Sequence, residues 1–158
     1  MSDEMRTQLV NDLLNSQQAI TEFLTTVADK QAWRPAPKQW SFRQIAWHLA
    51  ITERDCLLDR VQRIASGSNP TFGIYLDTDA EFITRDLHFA LEQWADARQA
   101  VIDVVNALPE NAFTHTGYHP SFGRLTVLGY LQIFLDHDQR HLADLHAMVT
   151  NASPNGAT

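Results

Sequence analysis

Cysteine occurs once in the 158 residues, as Cys56, which excludes an internal disulfide framework and any metal site built on a cysteine cluster. Basic residues are also scarce. Twelve Lys and Arg face nineteen Asp and Glu, a formal charge of -7, and no basic cluster breaks that balance, so the chain repels a phosphate backbone and no nucleic-acid partner is expected. The opening Met1 to Thr7 carries Asp3, Glu4 and Arg6 and lacks the apolar core of a secretory signal. No stretch approaches the roughly 20 apolar residues of a membrane span. These absences predict a cytoplasmic protein with no membrane association. The composition, with six Gly and six Pro, is neither disordered nor collagen-like. The length suits one domain, read here as residues 1–150 with a flexible tail at 151–158.

What is present is helical periodicity. Ile83, Leu87, Ala90, Trp94, Ala97, Val101, Val104 and Leu108 recur at spacings of four and three, which keeps them on one face of a seven-turn helix. Asp79 is the expected N-cap and Pro109 the stop. Leu9, Leu13, Ile20, Leu24 and Val27 mark an earlier helix over about residues 3–29. Ser41-Phe42-Arg43-Gln44 is a capping box that opens another. Ile45, Leu49, Cys56 and the stem of Arg63 lie along its inner side, and Ser66 to Pro70 ends it. The last helix begins near Thr126 and runs to about Thr150. No alternating stretch of strand length occurs. The expected class is therefore all-α, a four-helix bundle in which the long connections 30–40 and 109–125 cross the bundle end. The helix order stays open.

Of the seven histidines, His137 and His141 stand one turn apart within Val127, Tyr130, Phe134, His137, His141, Leu145 and Met148, a stripe that points where core side chains point. Two such rings are either buried and satisfied by carboxylates or backbone, or they share a metal ion. A metal needs a further ligand from another helix, and His48 is the best placed because it flanks the inner side of the second helix. Three imidazoles with an open position form the donor set of a catalytic site rather than a closed structural one. His115 and His119 share the four-residue spacing, but Gly117 and Pro120 place them in a loop. His146 is rotated away from the pair, and His88 receives no role. A di-iron bundle is disfavoured because no Glu-x-x-His occurs. Thr52, Asp55 and Asp144 fall in register to hydrogen-bond a ligand's other ring nitrogen, while Asp138 faces solvent or supports a ligand. Tyr130 and Arg140 are read either as pocket lining or as core and surface, Cys56 as a small buried hydrophobe or a nucleophile. Trp40 and Tyr118 are loop residues placed to roof a cavity. Leu128, Leu131, Leu135 and Leu142 form a second apolar set, either core or dimer interface.

Trp40-Ser41 leading into Ile45-Ala46-Trp47-His48-Leu49, with Asp136-His137-Asp138-Gln139-Arg140-His141-Leu142 downstream, resembles the two-part signature of the DinB-like (DinB/YfiT) superfamily of metal-dependent enzymes. The resemblance implies a bundle of atypical, crossed-over helix order and a divalent metal, zinc or nickel first, held by His48, His137 and His141. It also implies a homodimer and a small-molecule substrate. Relatives include thiol S-transferases that use bacillithiol or mycothiol, a mycothiol-dependent isomerase and hydrolase-like enzymes. The function so implied is metal activation of a low-molecular-weight thiol for attack on an electrophile. A metal-dependent hydrolase and a non-catalytic dimeric metal-binding bundle are the alternatives.

Overall fold

The computed structural model describes residues 2–76 and 85–152. Helix α1 spans Ser2–Thr26 and a 3-10 turn follows at Ala28–Lys30. Helix α2 (Phe42–Ile51) passes through a π-helical segment, Thr52–Leu58, into α3 (Asp59–Ala65), so that the three make one continuous rod. Helix α4 spans Leu87–Ala107 and α5 spans Val127–Ala152. The expected tail from 153 onward lies outside the described residues, as do the expected cap Asp79 and the first stripe member Ile83. Within the described residues α4 starts behind Asp86, whose carboxylate accepts from the His88 and Phe89 amides. The capping box at Ser41 is complete, with the hydroxyl accepting from Gln44 N–H and the Gln44 side chain accepting from Ser41 N–H.

Two three-residue strands, β1 (Gly117–His119) and β2 (Gly123–Leu125), pair as an antiparallel hairpin where the sequence pattern showed only a loop. Three residues are too few for alternation to register. The hairpin also holds the strand-like segment after α3, since Tyr118 N–H donates to Pro70 O and Phe72 N–H to Tyr118 O. Gly117 permits this contact, because a Cβ there would stand 2.8 Å from the Phe72 ring.

Side-chain contacts set the helix directions. Ser16 meets Asp138 and Phe23 meets His146, so α1 and α5 run parallel. Trp47 meets Phe89 and Glu53 meets Arg98, so α2 and α4 also run parallel. His48 beside His137 and Arg60 beside Tyr130 set the α2–α3 rod antiparallel to α5. Helix α1 packs on α5 and α4, and the rod packs on α4 and α5. Two parallel neighbours require a connection running the length of the bundle. The segment that joins them is 66–86, while the connections 30–40 and 109–125 join antiparallel helices at the bundle ends. Its ends are described: Gly67, at φ 78, closes α3 near the hairpin, while the Gln31 side chain accepts from Leu87 N–H at the opposite end.

The interior holds two apolar clusters, one around Leu13, Leu57, Val61, Val101 and Leu131 and the other around Ile20, Leu24, Ala46, Trp94 and Leu145. Leu128, Leu131 and Leu135 are buried within this chain and Leu142 packs against the second cluster, so of the two readings of this set, core or dimer interface, the structure shows core. Between the clusters lies a polar layer. Arg98, 0% exposed, donates to Glu53 at 2.5 and 2.9 Å, to Asp138 at 2.9 Å and to the Leu13 carbonyl at 2.6 Å. Ser16 donates to the same Asp138 at 2.6 Å. Asp138, 1% exposed, is therefore an interior anion and not a solvent-facing one. Burial draws the Arg98 pKa down, but the charges of Glu53 and Asp138 outweigh it and hold the guanidinium above its ordinary value. Burial pushes the Glu53 carboxyl up against the opposing pull of Arg98.

Removing one partner from such a layer leaves the others buried and uncompensated. Arg98→Met is expected to cost about 3–5 kcal/mol in denaturant unfolding. Adding Glu53→Gln and Asp138→Asn to it should recover part of that loss, and an undiminished parent stability in Arg98→Met would contradict this account of the layer.

Candidate metal centre

The π segment places the side chains of the site. In a continuous α-helix Arg60, twelve residues after His48, would stand about 120° around the axis from it. The wider i→i+5 turn takes up additional chain, and Cys56 and Arg60 reach the same cavity as His48. The same shift corrects the register expected for Asp55, which is exposed and paired with Arg54 at 2.7 Å instead of supporting a histidine. It also turns Arg63 outward, with its guanidinium over the Phe72 ring.

His48 Nε2 lies 3.0 Å from His137 Nε2, and His141 Nε2 lies 3.0 Å from the same atom. All three ligand nitrogens fall within 4.8 Å of one another, and they are the one such group of histidine, cysteine or carboxylate donors among the described residues. An imidazole nitrogen offers one in-plane position, either a proton or a lone pair. His137 Nε2 cannot make two linear hydrogen bonds from that one position. Three lone pairs aimed at a shared divalent cation satisfy the arrangement, and the donor set is that of an open transition-metal site.

Thr52 is buried behind His48, with Oγ1 3.3 Å from Nδ1. When Nε2 presents its lone pair the ring proton sits on Nδ1 and is donated to Thr52 Oγ1, which fixes tautomer and ring orientation together. Burial, then the neighbouring His141 and His48, lower the His137 pKa to about 3. Burial, then His48 and Arg140, lower that of His141 to about 4. Both rings are therefore neutral at physiological pH, the form that binds a metal.

The histidines separate two cavities. An outer cleft of about 500 Å³ is lined by His141, Trp40, Lys38 and Asp144. Trp40 stands over His48 with ring centroids 4.6 Å apart, so one of the two expected roofing aromatics is in place. The other is not, since Tyr118 is half exposed on β1 and lines neither cavity. Asp144 is exposed at the cleft wall, and Arg140 is exposed outside both cavities. An inner cavity of about 220 Å³ is lined by His48, His137, Thr52, Tyr130, Arg60 and His119, among others. Tyr130 is thus both core and cavity wall.

Glu53, Arg98, Arg60 and His119 were not singled out as site residues. Glu53, Arg98 and Arg60 have other polar or charged residues beside them in sequence and His119 lies in a stretch that reads as a loop, so no spacing rule marks any of them. The Asp138 of the downstream signature did carry a signal, in that it sits next to His137 and three residues before His141.

In the metal-free chain, His137 and His141 titrate well below the roughly 6.5 of an unfolded histidine. Between those values the unfolded chain binds more protons, so stability is full above about pH 6.5 and is lost as pH falls toward 4. The expected outcome is a melting temperature of chelator-treated protein that declines over pH 6.5 to 4.5. The decline should be shallower in the double variant His137→Gln, His141→Gln; parallel profiles would contradict the assignment.

No curated protein sequence matches this chain. A solved structure described as YfiT from Bacillus subtilis, "a probable metal-dependent hydrolase with an unusual four-helix bundle topology", has a TM-score of 0.82 at 18% sequence identity, covering 96% of this chain and 90% of that one. At that identity the likeness speaks for the fold, including its unusual helix order. The model of the DinB superfamily matches residues 12–145, a span that holds all three histidines, and the chain belongs to the DinB superfamily.

Proposed function

We propose that the chain is a divalent-metal-dependent enzyme of small-molecule chemistry that joins a low-molecular-weight thiol to an electrophile. His48, His137 and His141 hold the ion. When bound, the ion supplies Lewis acidity that lowers the pKa of a thiol, or of water, in its open position. The observation that carries the two-substrate reading is the pair of cavities flanking the histidines, about 500 Å³ on the Trp40 side and about 220 Å³ on the Tyr130 side. A hydrolase needs room for one organic reactant and a water, whereas a thiol transferase needs room for two.

The residues around the histidines have separate tasks. Thr52 keeps the His48 ring turned with Nε2 toward the centre. Trp40 shields that ring on the cleft side and supplies an apolar face for a reactant. Lys38 and Asp144, of opposite charge on the cleft wall, suit the zwitterionic and polar groups that low-molecular-weight thiols carry. Tyr130 keeps its proton at neutral pH, because burial raises its pKa against the hydrogen bond and charge of Arg60, and so serves as a donor on the inner side. A second reading, hydrolysis, is favoured by the description of YfiT and uses the same histidines with water in place of the thiol.

The test is turnover of 1-chloro-2,4-dinitrobenzene by zinc- or nickel-loaded protein with a panel of low-molecular-weight thiols. Turnover that requires both metal and thiol is expected, falling at least a hundredfold in His137→Ala while helical content by circular dichroism is retained. Metal-dependent cleavage of p-nitrophenyl acetate with no thiol requirement would favour the hydrolase reading. A variant that loses its metal and keeps full turnover would refute catalysis at this centre.

A further inference from the structure

The inner cavity contains a charge that the metal centre does not explain. Arg60 is 7% exposed and lines the cavity alongside His48 and His137. Among the described residues no carboxylate pairs with it, in contrast to Arg98, whose two anions neutralise it within the bundle. Of the five N–H groups of a guanidinium, the fold engages one on the Tyr130 hydroxyl and one on the Gly73 carbonyl, the latter at 2.6 Å. The guanidinium carbon lies over two aromatic rings, 4.9 Å from the Phe72 centroid and 5.8 Å from that of Tyr130. The fork is therefore held in place by neutral groups and keeps a full positive charge in a buried cavity wall. Burying an unpaired cation is costly, and a guanidinium fixed in this way is built to receive an anion.

Two neighbours add neutral donors. Arg60 donates to the Tyr130 oxygen, which leaves the phenol's own proton to give elsewhere. His119 Nδ1 accepts from Ser121 N–H at 3.0 Å, so the neutral ring carries its proton on Nε2. Burial, then the Arg60 charge, keep that ring neutral. Among the described residues no aspartate or glutamate lines the cavity, and apart from Thr52 the remaining wall is apolar and aromatic, with Ile133, Phe134, Phe122 and Ile74 among it. One positive charge matches one negative charge. A monoanion with a hydrocarbon body fits this lining better than a phosphate dianion, which would ask for a second cation and a polar wall.

We propose that the inner cavity binds a small monocarboxylate, with its carboxylate on Arg60, Tyr130 and His119 and its body against the aromatic wall below His48 and His137. The inference deepens the enzymatic reading by naming the class of the second reactant, a carboxylate-bearing electrophile, and rests on that reading for its role as reactant only. Arg60 is the specificity-determining residue for this class.

The test uses metal-free protein, so that failure of the metal centre and failure of this site are told apart. Sodium benzoate and its neutral isostere benzamide are titrated by calorimetry into chelator-treated parent, Arg60→Gln and Arg60→Lys. The parent is expected to prefer benzoate over benzamide by roughly ten- to a hundredfold. Arg60→Gln should lose that preference with its zinc affinity unchanged, and Arg60→Lys should keep part of it, since the charge remains and the fork does not. Equal binding of benzoate and benzamide by the parent would overturn the proposal whether or not the variants fold. So would benzoate binding that appears only with zinc present and persists in Arg60→Gln, which places the carboxylate on the metal. Inorganic phosphate binding more tightly than benzoate would overturn the carboxylate class.

Discussion

One side chain joins α1, α4, α5 and the α2–α3 rod. Arg98 rises from α4, grips Glu53 in the π segment and Asp138 on α5, and caps the Leu13 carbonyl of α1. An ion pair sealed between apolar layers contributes little net stability but punishes any arrangement that separates its members. Here it acts as an index mark. Glu53 follows Thr52 and Asp138 follows His137, so satisfying the guanidinium sets the height and rotation of the two helices that carry the histidines.

The π segment is the second constraint, and it makes sense only with the first. Within the α2–α3 rod, Glu53 must face Arg98 while His48, Cys56 and Arg60 face the cavity beside α5. A regular α-helix cannot present both sets at these spacings. The i→i+5 turn reconciles them locally, as such segments commonly do near functional sites. One irregular turn therefore links the buried charge layer, the histidine centre and the arginine in the inner cavity.

Much of this was legible in the sequence wherever a repeated spacing or a local chemical rule applied. The stripes of α1, α4 and α5, the capping box at Ser41 and the convergence of His137 and His141 all follow from a period of 3.6 residues or a four-residue box. The pairing of His48 with them followed from its face and from the family signature. Besides the short hairpin, three things escaped. The lengthwise connection 66–86 depends on which helices run parallel, and local pattern does not encode that. Asp55 was placed by α-helical arithmetic that the π segment breaks. Arg98, Glu53 and Arg60 are single polar residues inside apolar faces, whose meaning appears only when distant helices bring their partners to them.

The central claim is that the three histidines form a metal centre held by this polar layer. Elemental analysis of the purified protein, without an affinity tag and after reconstitution with zinc or nickel, tests it directly. The account predicts about one ion per chain, the stoichiometry of a single three-histidine site, and none retained by His48→Ala. A parent that retains no ion after reconstitution, or a His48→Ala variant that retains it fully, would contradict it.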